Sequence, residues 1–369
     1  MLRPRDEADL AEIIATTSCA LEPVAGGSLR DIGKPVEGEI LDLSALHGIV
    51  SYEPDELVLT ARAATPLESI ERALSEHRQR LAFEPVDWTP LLGSAGGRTI
   101  GGVLAANVSG SRRIVAGAAR DHFLGFRAVS VRGERFKGGG RVVKNVTGYD
   151  LPKLLAGSWG TLAVLTEVTV RVNPAPEHER TLIVPAGGAA EAVQSMANAL
   201  GSACDVSAAA FVPRRGVALR LEGFLPSVSA RGAALLERLA PAESVWLEGE
   251  ASRGFWRAVG AAQPLGAHPI IWRLSVPPGD APDIIERLAP ADYLLDWGGG
   301  RIWIGAAHAE AERVRGALRA GHALLFKAPR AVRASTAVFQ PLSGPLAALT
   351  ARVKAAFDPA ARLNPGRMG

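Results

Sequence analysis

Three stretches of this sequence are built almost without side chains: Ala25-Gly26-Gly27-Ser28; Gly93-Ser94-Ala95-Gly96-Gly97 running on into Thr99-Ile100-Gly101-Gly102; and Gly157-Ser158-Trp159-Gly160-Thr161. Successive glycines permit the positive-φ geometry that turns neighbouring N–H groups into one concavity, and they lack the Cβ atoms that would hold an anion away. The doubly charged diphosphate bridge of a dinucleotide is the ligand such loops suit. One Gly-Gly doublet is most often only a turn. Three, each beside a β-type or small-residue packing segment, point to an anion site made of backbone. G-x-G-x-x-G, Walker A, H-E-x-x-H and G-x-S-x-G patterns are absent, so nicotinamide fingerprints, nucleotide hydrolysis, zinc proteolysis and esterase chemistry lack their usual parts.

The elements that must position these loops alternate. Leu10, Ile13 and Ile14 predict a short amphipathic helix after Pro4. Glu39–Leu43 and Glu56–Ala61 read as strands, with Glu53-Pro54-Asp55 as a turn between them. Thr65-Pro66-Leu67-Glu68 has the form of a capping box with proline at the first helical position, opening a helix to about His77. Strands and helices continue to alternate up to Val172, where Asn173-Pro174-Ala175-Pro176 interrupts the strand Leu165–Val172. Beyond it, short strands (Thr181–Val184, Val217–Leu221, Ile270–Leu274, Arg301–Ile304) alternate with alanine-rich helices (Ala190–Leu200, Ala230–Leu239, Ala309–Leu318). That pattern predicts helices packed on an antiparallel sheet. Ala189–Ala199 and Ala307–Ala320 raise the expectation of a duplicated strand–helix unit.

Composition excludes several classes. With 369 residues, 47% hydrophobic and 21% charged, the chain has the length for two domains and no disorder signature. The net charge is +3 and no block of five or six like charges occurs, so nucleic acid is not an expected partner. Cys19 and Cys204 are too few and too distant for a cysteine-held iron–sulfur cluster or a zinc ribbon within this chain, and no metal site is expected. Acids stand at Asp6 and Glu7 where a signal peptide would need an apolar run, and no stretch approaches a membrane-helix length of about 20 apolar residues. A cytoplasmic chain is expected.

The run Thr99-Ile100-Gly101-Gly102-Val103-Leu104-Ala105-Ala106-Asn107-Val108-Ser109-Gly110 resembles the central flavin-binding motif of the vanillyl-alcohol oxidase (PCMH-type) FAD superfamily, and Arg120-Asp121-His122-Phe123-Leu124-Gly125 follows at the matching place. Gly139 to Leu151, with Lys144-Asn145-Val146-Thr147-Gly148-Tyr149-Asp150, is similar to the FAD-binding E subunits of bacterial glycolate oxidases, as are Gly157–Glu167 and the tail Leu363-Asn364-Pro365-Gly366-Arg367-Met368. The resemblance implies an α+β fold: a two-lobed PCMH-type FAD-binding domain over 1–174, an inserted antiparallel-sheet cap over 175–334, and a segment over 335–369 returning to the FAD domain. It also implies that Ala25, Gly26, Gly27, Ser28, Thr99, Ile100, Gly101 and Gly102 hold the pyrophosphate. Asn107, Gly110, Gly157, Gly160, Thr161 and Val164 would line the rest of the dinucleotide, and Arg112 or Arg113 would add a cation. Flavins of this superfamily are sometimes tethered through a histidine in the first loop; Gly26-Gly27-Ser28 has none, so the FAD is expected to be non-covalent. Lys144 and Asn145 would reach the flavin edge or fix the loop before Gly148-Tyr149.

Oxidising a 2-hydroxy acid needs a base for the hydroxyl proton, a cation for the carboxylate and a flavin to take the hydride. The seven histidines (His47, His77, His122, His178, His268, His308 and His322) form no i, i+4 pair and no acid-rich cluster. A catalytic residue is therefore not assignable, and ordinary packing is the expected role of each histidine, as of the tryptophans Trp246, Trp256, Trp272, Trp297 and Trp303. Three functions stay open. The chain is the FAD-binding subunit of a glycolate oxidase complex, beside a catalytic FAD subunit and an iron–sulfur subunit that bring it to the inner membrane. Alternatively it is a self-sufficient dehydrogenase of glycolate or a similar small 2-hydroxy acid, with Arg273 or a cap histidine serving the substrate. A non-catalytic scaffold is the third.

Overall fold

The computed structural model describes residues 1–140 and 148–368. Asp6 caps the first helix, Glu7–Thr16, its carboxylate accepting from Ala8 N and Asp9 N, and the helix buries Leu10 and Ile14. Each such side chain contributes about 1.5–3 kcal/mol of burial. They pack in a small core with Leu21, Leu41, Val129, Val131 and Leu363. Strands Leu21–Val24 and Glu39–Asp42 lie parallel, with Leu2 bridging Leu41 and Leu363 bridging Leu21 on the two sides. The chain's last residues thus sit beside its first strands.

A five-stranded antiparallel sheet follows, in the order Ile49–Glu53, Val58–Arg62, Val164–Arg171, Phe123–Val129, Arg135–Gly139. The helix Leu67–Glu76 buries Leu67, Ile70 and Leu74, the 3–4 spacing of a one-sided helix. Its start differs from the capping box that the sequence predicts. Pro66 is the N-cap rather than the first helical residue, and no side chain caps the helix. Thr65 is committed elsewhere: its hydroxyl donates to Arg62 O at 2.6 Å and accepts from Gly48 N at 2.9 Å, tying the strand end to the loop before it.

The second sheet has eight antiparallel strands and is a duplication. The first unit runs His178–Val184, helix Ala189–Leu200, Ala208–Val212, Gly216–Gly223, helix Leu225–Leu239, Val245–Glu248; the second runs Ile270–Ser275, helix Ala281–Leu288, Asp292–Asp296, Arg301–Ala306, helix Ala311–Gly316, His322–Lys327. Each is a β-α-β-β-α-β unit with spatial order 4-1-3-2, and the two second strands meet at Phe211–Leu295 to close one continuous sheet. The repeat exists, but not in the register that alanine content suggests. Ala189–Leu200 is the counterpart of Ala281–Leu288, whereas the region 307–320 supplies the counterpart of Leu225–Leu239. Alanine reports helix propensity, not position in a unit. No helix among the described residues is long and apolar enough to cross a membrane.

Candidate functional site

Residues of all three glycine segments line one cleft. Its wall contains Ala25–Ser28, Thr99, Gly101, Gly102, Gly160 and Val164, and residues that the sequence did not single out, among them Glu22, Arg30, Ala63, Trp159, Asn364 and Arg367.

The first two loops are pressed backbone against backbone. A Cβ on Gly26 would lie 1.9 Å from Gly97 O, and one on Gly96 would lie 2.0 Å from Gly26 O. Gly27 and Gly97 bridge in parallel. The second loop then enters the short helix Ile100–Ala105, whose N-cap Thr99 accepts from Gly102 N at 3.3 Å. Ile100 N and Gly101 N donate to Thr65 O and Ala63 O, so the turn hangs from the end of strand Val58–Arg62. A Cβ on Gly101 would stand 2.7 Å from Ala63, whereas Gly102 has only the Thr99 hydroxyl nearby, at 3.2 Å, and Gly97 has nothing within 4 Å.

The third segment is held by the C-terminal tail. Asn364 Nδ2 donates to Trp159 O at 2.9 Å and Gly160 O at 3.4 Å, and Lys354 Nζ donates to Thr161 O at 2.6 Å. Trp159 and Gly160 both adopt positive φ, and the Trp159 ring packs edge-on against Phe339. Two cations stand at the opposite wall. Arg30 pairs bidentately with Glu22, while Arg367 donates to Leu29 O at 2.8 Å and lies 3.9 Å from the same carboxylate. Burial pushes the Arg367 guanidinium down to about 10 despite Glu22. One acid against two arginines leaves a positive wall, the sign a diphosphate needs.

The remaining expected residues stand apart from this wall. Ile100 is fully buried in the main core. Asn107, at positive φ, accepts from Arg120 N through Oδ1. Gly157 N donates to Leu104 O, and Thr161 Oγ1 donates to Ser158 O. Gly110 N donates to Phe83 O, and its carbonyl accepts from Trp297 Nε1. Arg112 spends its charge on a buried network that joins the glycine-loop half of the chain to the eight-stranded sheet. It pairs with Glu222 and, at 3.4 Å, with Glu84; Glu84 in turn takes both Nη atoms of Arg220, at 2.7 and 3.0 Å. Arg80 adds a third cation on Glu222 at 2.7 Å. Lys144 and Asn145 lie outside the described residues.

A second cluster lies on the sheet face turned toward this junction. Arg273 and Trp303 are register partners on adjacent strands. The Arg273 guanidinium lies over the rings of Trp88 and Phe326 and is pushed down to about 9 by burial and by the guanidiniums of Arg301 and Arg113. Arg301 pairs with Asp296, which also accepts from Ser111 at 2.8 Å; Arg113 lies over the Trp297 ring. The buried Trp303 Nε1 and Arg301 Nε have no hydrogen-bond partner. His322 stands one ladder position along the same face, and burial with the two arginines Arg273 and Arg113 lowers its pKa. Donors exceed acceptors here, and an acceptor-only anion would complete the set. Among the described residues no group of three or more His, Cys, Asp or Glu could hold a metal.

The chain is similar to several known proteins. The family described as "FAD binding domain" matches residues 1–139. The glycolate oxidase subunit GlcE of Escherichia coli is 36% identical over 341 residues, covering 91% of this chain and 89% of that protein. An uncharacterised FAD-linked oxidoreductase of Mycobacterium tuberculosis is 25% identical across 99% of this chain and 89% of its own length. The glycolate oxidase subunit GlcD of Bacillus subtilis is 31% identical over 187 residues, 50% of this chain and 38% of that one. Among solved structures, an alkyldihydroxyacetonephosphate synthase superposes with a TM-score of 0.69 at 13% identity, over 98% of this chain and 76% of that one, which supports the fold alone.

Proposed function

From the premise that the chain belongs to the family of FAD-binding glycolate oxidase subunits that includes GlcE, we propose that it is the FAD-binding subunit of an oxidase complex that converts glycolate to glyoxylate. The cofactor is FAD. The observation that carries the reading is the cleft itself: three glycine-rich segments and the returning tail line it, Gly102 adds no side chain to its wall, and two arginines stand beside them. Those features fit a diphosphate approached closely by backbone. When bound, the flavin supplies the hydride acceptor. In this reading Ala25–Ser28, Thr99, Gly101 and Gly102 face the diphosphate, and Arg30 and Arg367 neutralise it. Trp159, Gly160 and Val164 line the rest, and binding is non-covalent, since no histidine stands in the wall.

The same reading divides the chain into an FAD domain (1–174), a cap (175–334) and a returning segment (335–369). The eight-stranded sheet within 178–327 and the Leu21–Leu363 bridge support it. A catalytic flavoprotein and an iron–sulfur subunit are the partners we propose, with the assembly in the cytoplasm and reaching the inner membrane only through them.

The Arg273 cluster favours a second reading, in which this chain handles substrate itself. Arg273 and Trp303 Nε1 would hold a 2-hydroxy acid's carboxylate, and His322, whose pKa is lowered by desolvation and then by the two arginines, would take the hydroxyl proton. Two experiments test these readings. Gly102→Val places a branched side chain in the cleft; the purified variant is expected to fold yet lose its flavin absorbance, and full FAD retention overturns the site. Anaerobic glycolate that bleaches the flavin of the isolated chain supports the second reading; bleaching only after partner subunits are added supports the first.

A further inference from the structure

The helix Gly344–Phe357 buries none of its residues, and every residue from 341 to 350 is exposed. Leu342, Leu346 and Leu349 stand 46%, 48% and 52% open to solvent. The other long helices of the chain show one apolar face, as Leu67–Glu76 does with Leu67, Ile70 and Leu74. Here the large apolar side chains Leu346, Leu349, Val353 and Phe357 fall on one stripe and alanines occupy much of the rest; Val353 and Phe357 pack against the main core, whereas Leu346 and Leu349 stand half open to solvent. An apolar stripe left open at one end of a helix marks a surface that something else covers.

Charge narrows what covers it. A helix lying on a membrane surface needs a strongly charged face opposite its apolar one. Only Arg352 and Lys354 are charged here, and the Lys354 ammonium is turned inward onto Thr161 O, Leu363 O and Asp358 Oδ2. Size narrows it further. Fourteen residues make a cylinder about 21 Å long and about 10 Å across, with roughly 650 Å² of lateral surface, part of which the core and the Lys354 contacts cover at the last turns. What is left falls short of the roughly 800 Å² per partner of a standard protein interface, so the helix is one anchor of a larger contact and needs a partner that wraps it. A second copy of the same helix laid alongside would cover one flank and leave the other wet.

We propose that this helix is the arm by which the subunit docks into an apolar groove of a companion protein chain of the oxidase, with an acidic rim set for Arg352. The inference rests on the complex reading given above. The arm is continuous with the FAD cleft. Its last turn holds the Trp159–Thr161 loop through Lys354, and the tail that follows supplies Asn364 and Arg367 to the cleft wall. Docking would therefore fix a partner directly beside the dinucleotide site.

The test uses the full chain co-expressed with the companion flavoprotein and iron–sulfur subunits, and the double variant Leu346→Asp, Leu349→Asp. Both positions are exposed, so the isolated variant is expected to keep its FAD and its Tm. The expected result is one co-eluting assembly for the wild type and at least a tenfold loss of co-eluting companion for the variant. A variant that co-elutes like the wild type overturns the docking arm and leaves the complex standing. A wild type that never co-elutes overturns the complex reading and this inference together. Three other outcomes also overturn it: FAD loss in the isolated variant, a wild-type homodimer that the variant abolishes, or helix-dependent capture of the isolated chain by phosphatidylglycerol vesicles.

Discussion

Replacing Glu84 by glutamine should unfasten the two halves of the molecule at a calculable cost. The carboxylate takes Arg220 through both Nη atoms and Arg112 through its backbone N–H at 2.8 Å, and Arg220 is 1% exposed. Burial pushes the Glu84 pKa up, but the positive charges of Arg220 and Arg112 outweigh it and hold the group at about 2, against an ordinary 4.5. That depression, 4.5 less 2, corresponds to about 3 kcal/mol at roughly 1.4 kcal/mol per pH unit. Removing one partner of a buried ion pair costs about 3–5 kcal/mol by an independent route, because the other charge is stranded. Arg220 would keep Glu222, at 3.9 Å from its Nε, and the more distant charge of Glu179. The sign follows from the depressed pKa: the stabilisation is complete above pH 4.5 and is lost as the pH falls toward 2. Glu222 is depressed in the same direction by Arg220, Arg112 and Arg80, against its burial, and adds to the acid lability of the wild type. Urea unfolding followed by tryptophan fluorescence should therefore place Glu84→Gln about 3 kcal/mol below wild type at pH 7, with the gap narrowing steadily below pH 4.5. A difference under about 1 kcal/mol at pH 7, or a gap undiminished at pH 3, would refute the idea that this network fastens the sheet to the glycine loops.

Gly96→Ala puts a Cβ 2.0 Å from Gly26 O and 2.9 Å from Ser28 N, so the two loops must part; titration of the apoprotein with FAD should show at least a tenfold loss of affinity, about 1.4 kcal/mol. Asn364→Ala removes both donations to the Trp159 and Gly160 carbonyls and should cost about 1–2 kcal/mol in denaturant unfolding, with weaker FAD retention. Arg273→Met should act with opposite signs on stability and on function. Deleting a buried cation whose charged neighbours are other arginines should raise stability by about 1–4 kcal/mol, while glycolate-dependent flavin reduction weakens and FAD content is unchanged; a destabilised variant would mean that Arg273 has an anionic partner in the protein.

The glycine loops were legible because their composition is itself the signal. Elements made by tertiary pairing were not. Ala208–Val212 reads Ala-Ala-Ala-Phe-Val, a helical composition, yet it is a central strand because Gly216–Gly223 pairs along its whole length and Leu295 meets Phe211. The cleft's far wall was visible only as a tail resemblance. Asn364 and Arg367 act on residues 205 and 338 positions away, and no local pattern encodes such a contact. Arg112 illustrates the same limit: as a sequence it is a cation near a glycine run, and only the fold shows its charge committed to Glu84 and Glu222, which come from different halves of the chain. Thr65 has the letters of a helix cap but lies where Gly48 and Arg62 compete for its hydroxyl.

The glycines themselves divide into two kinds, and only one kind bears on function. Gly26, Gly96 and Gly101 face backbone or Ala63 at 1.9 to 2.7 Å, so the fold demands them whatever the cleft holds. Gly97 meets nothing within 4 Å, and Gly102 meets only the Thr99 hydroxyl, at 3.2 Å. Gly102 moreover sits inside the helix Ile100–Ala105, where glycine costs about 1 kcal/mol relative to alanine. A chain that keeps that penalty with a single side-chain hydroxyl, and no backbone, to avoid is leaving room for something outside the protein. The absent Cβ at Gly102 therefore argues for a ligand against the cleft wall more strongly than the glycine count of the loops does.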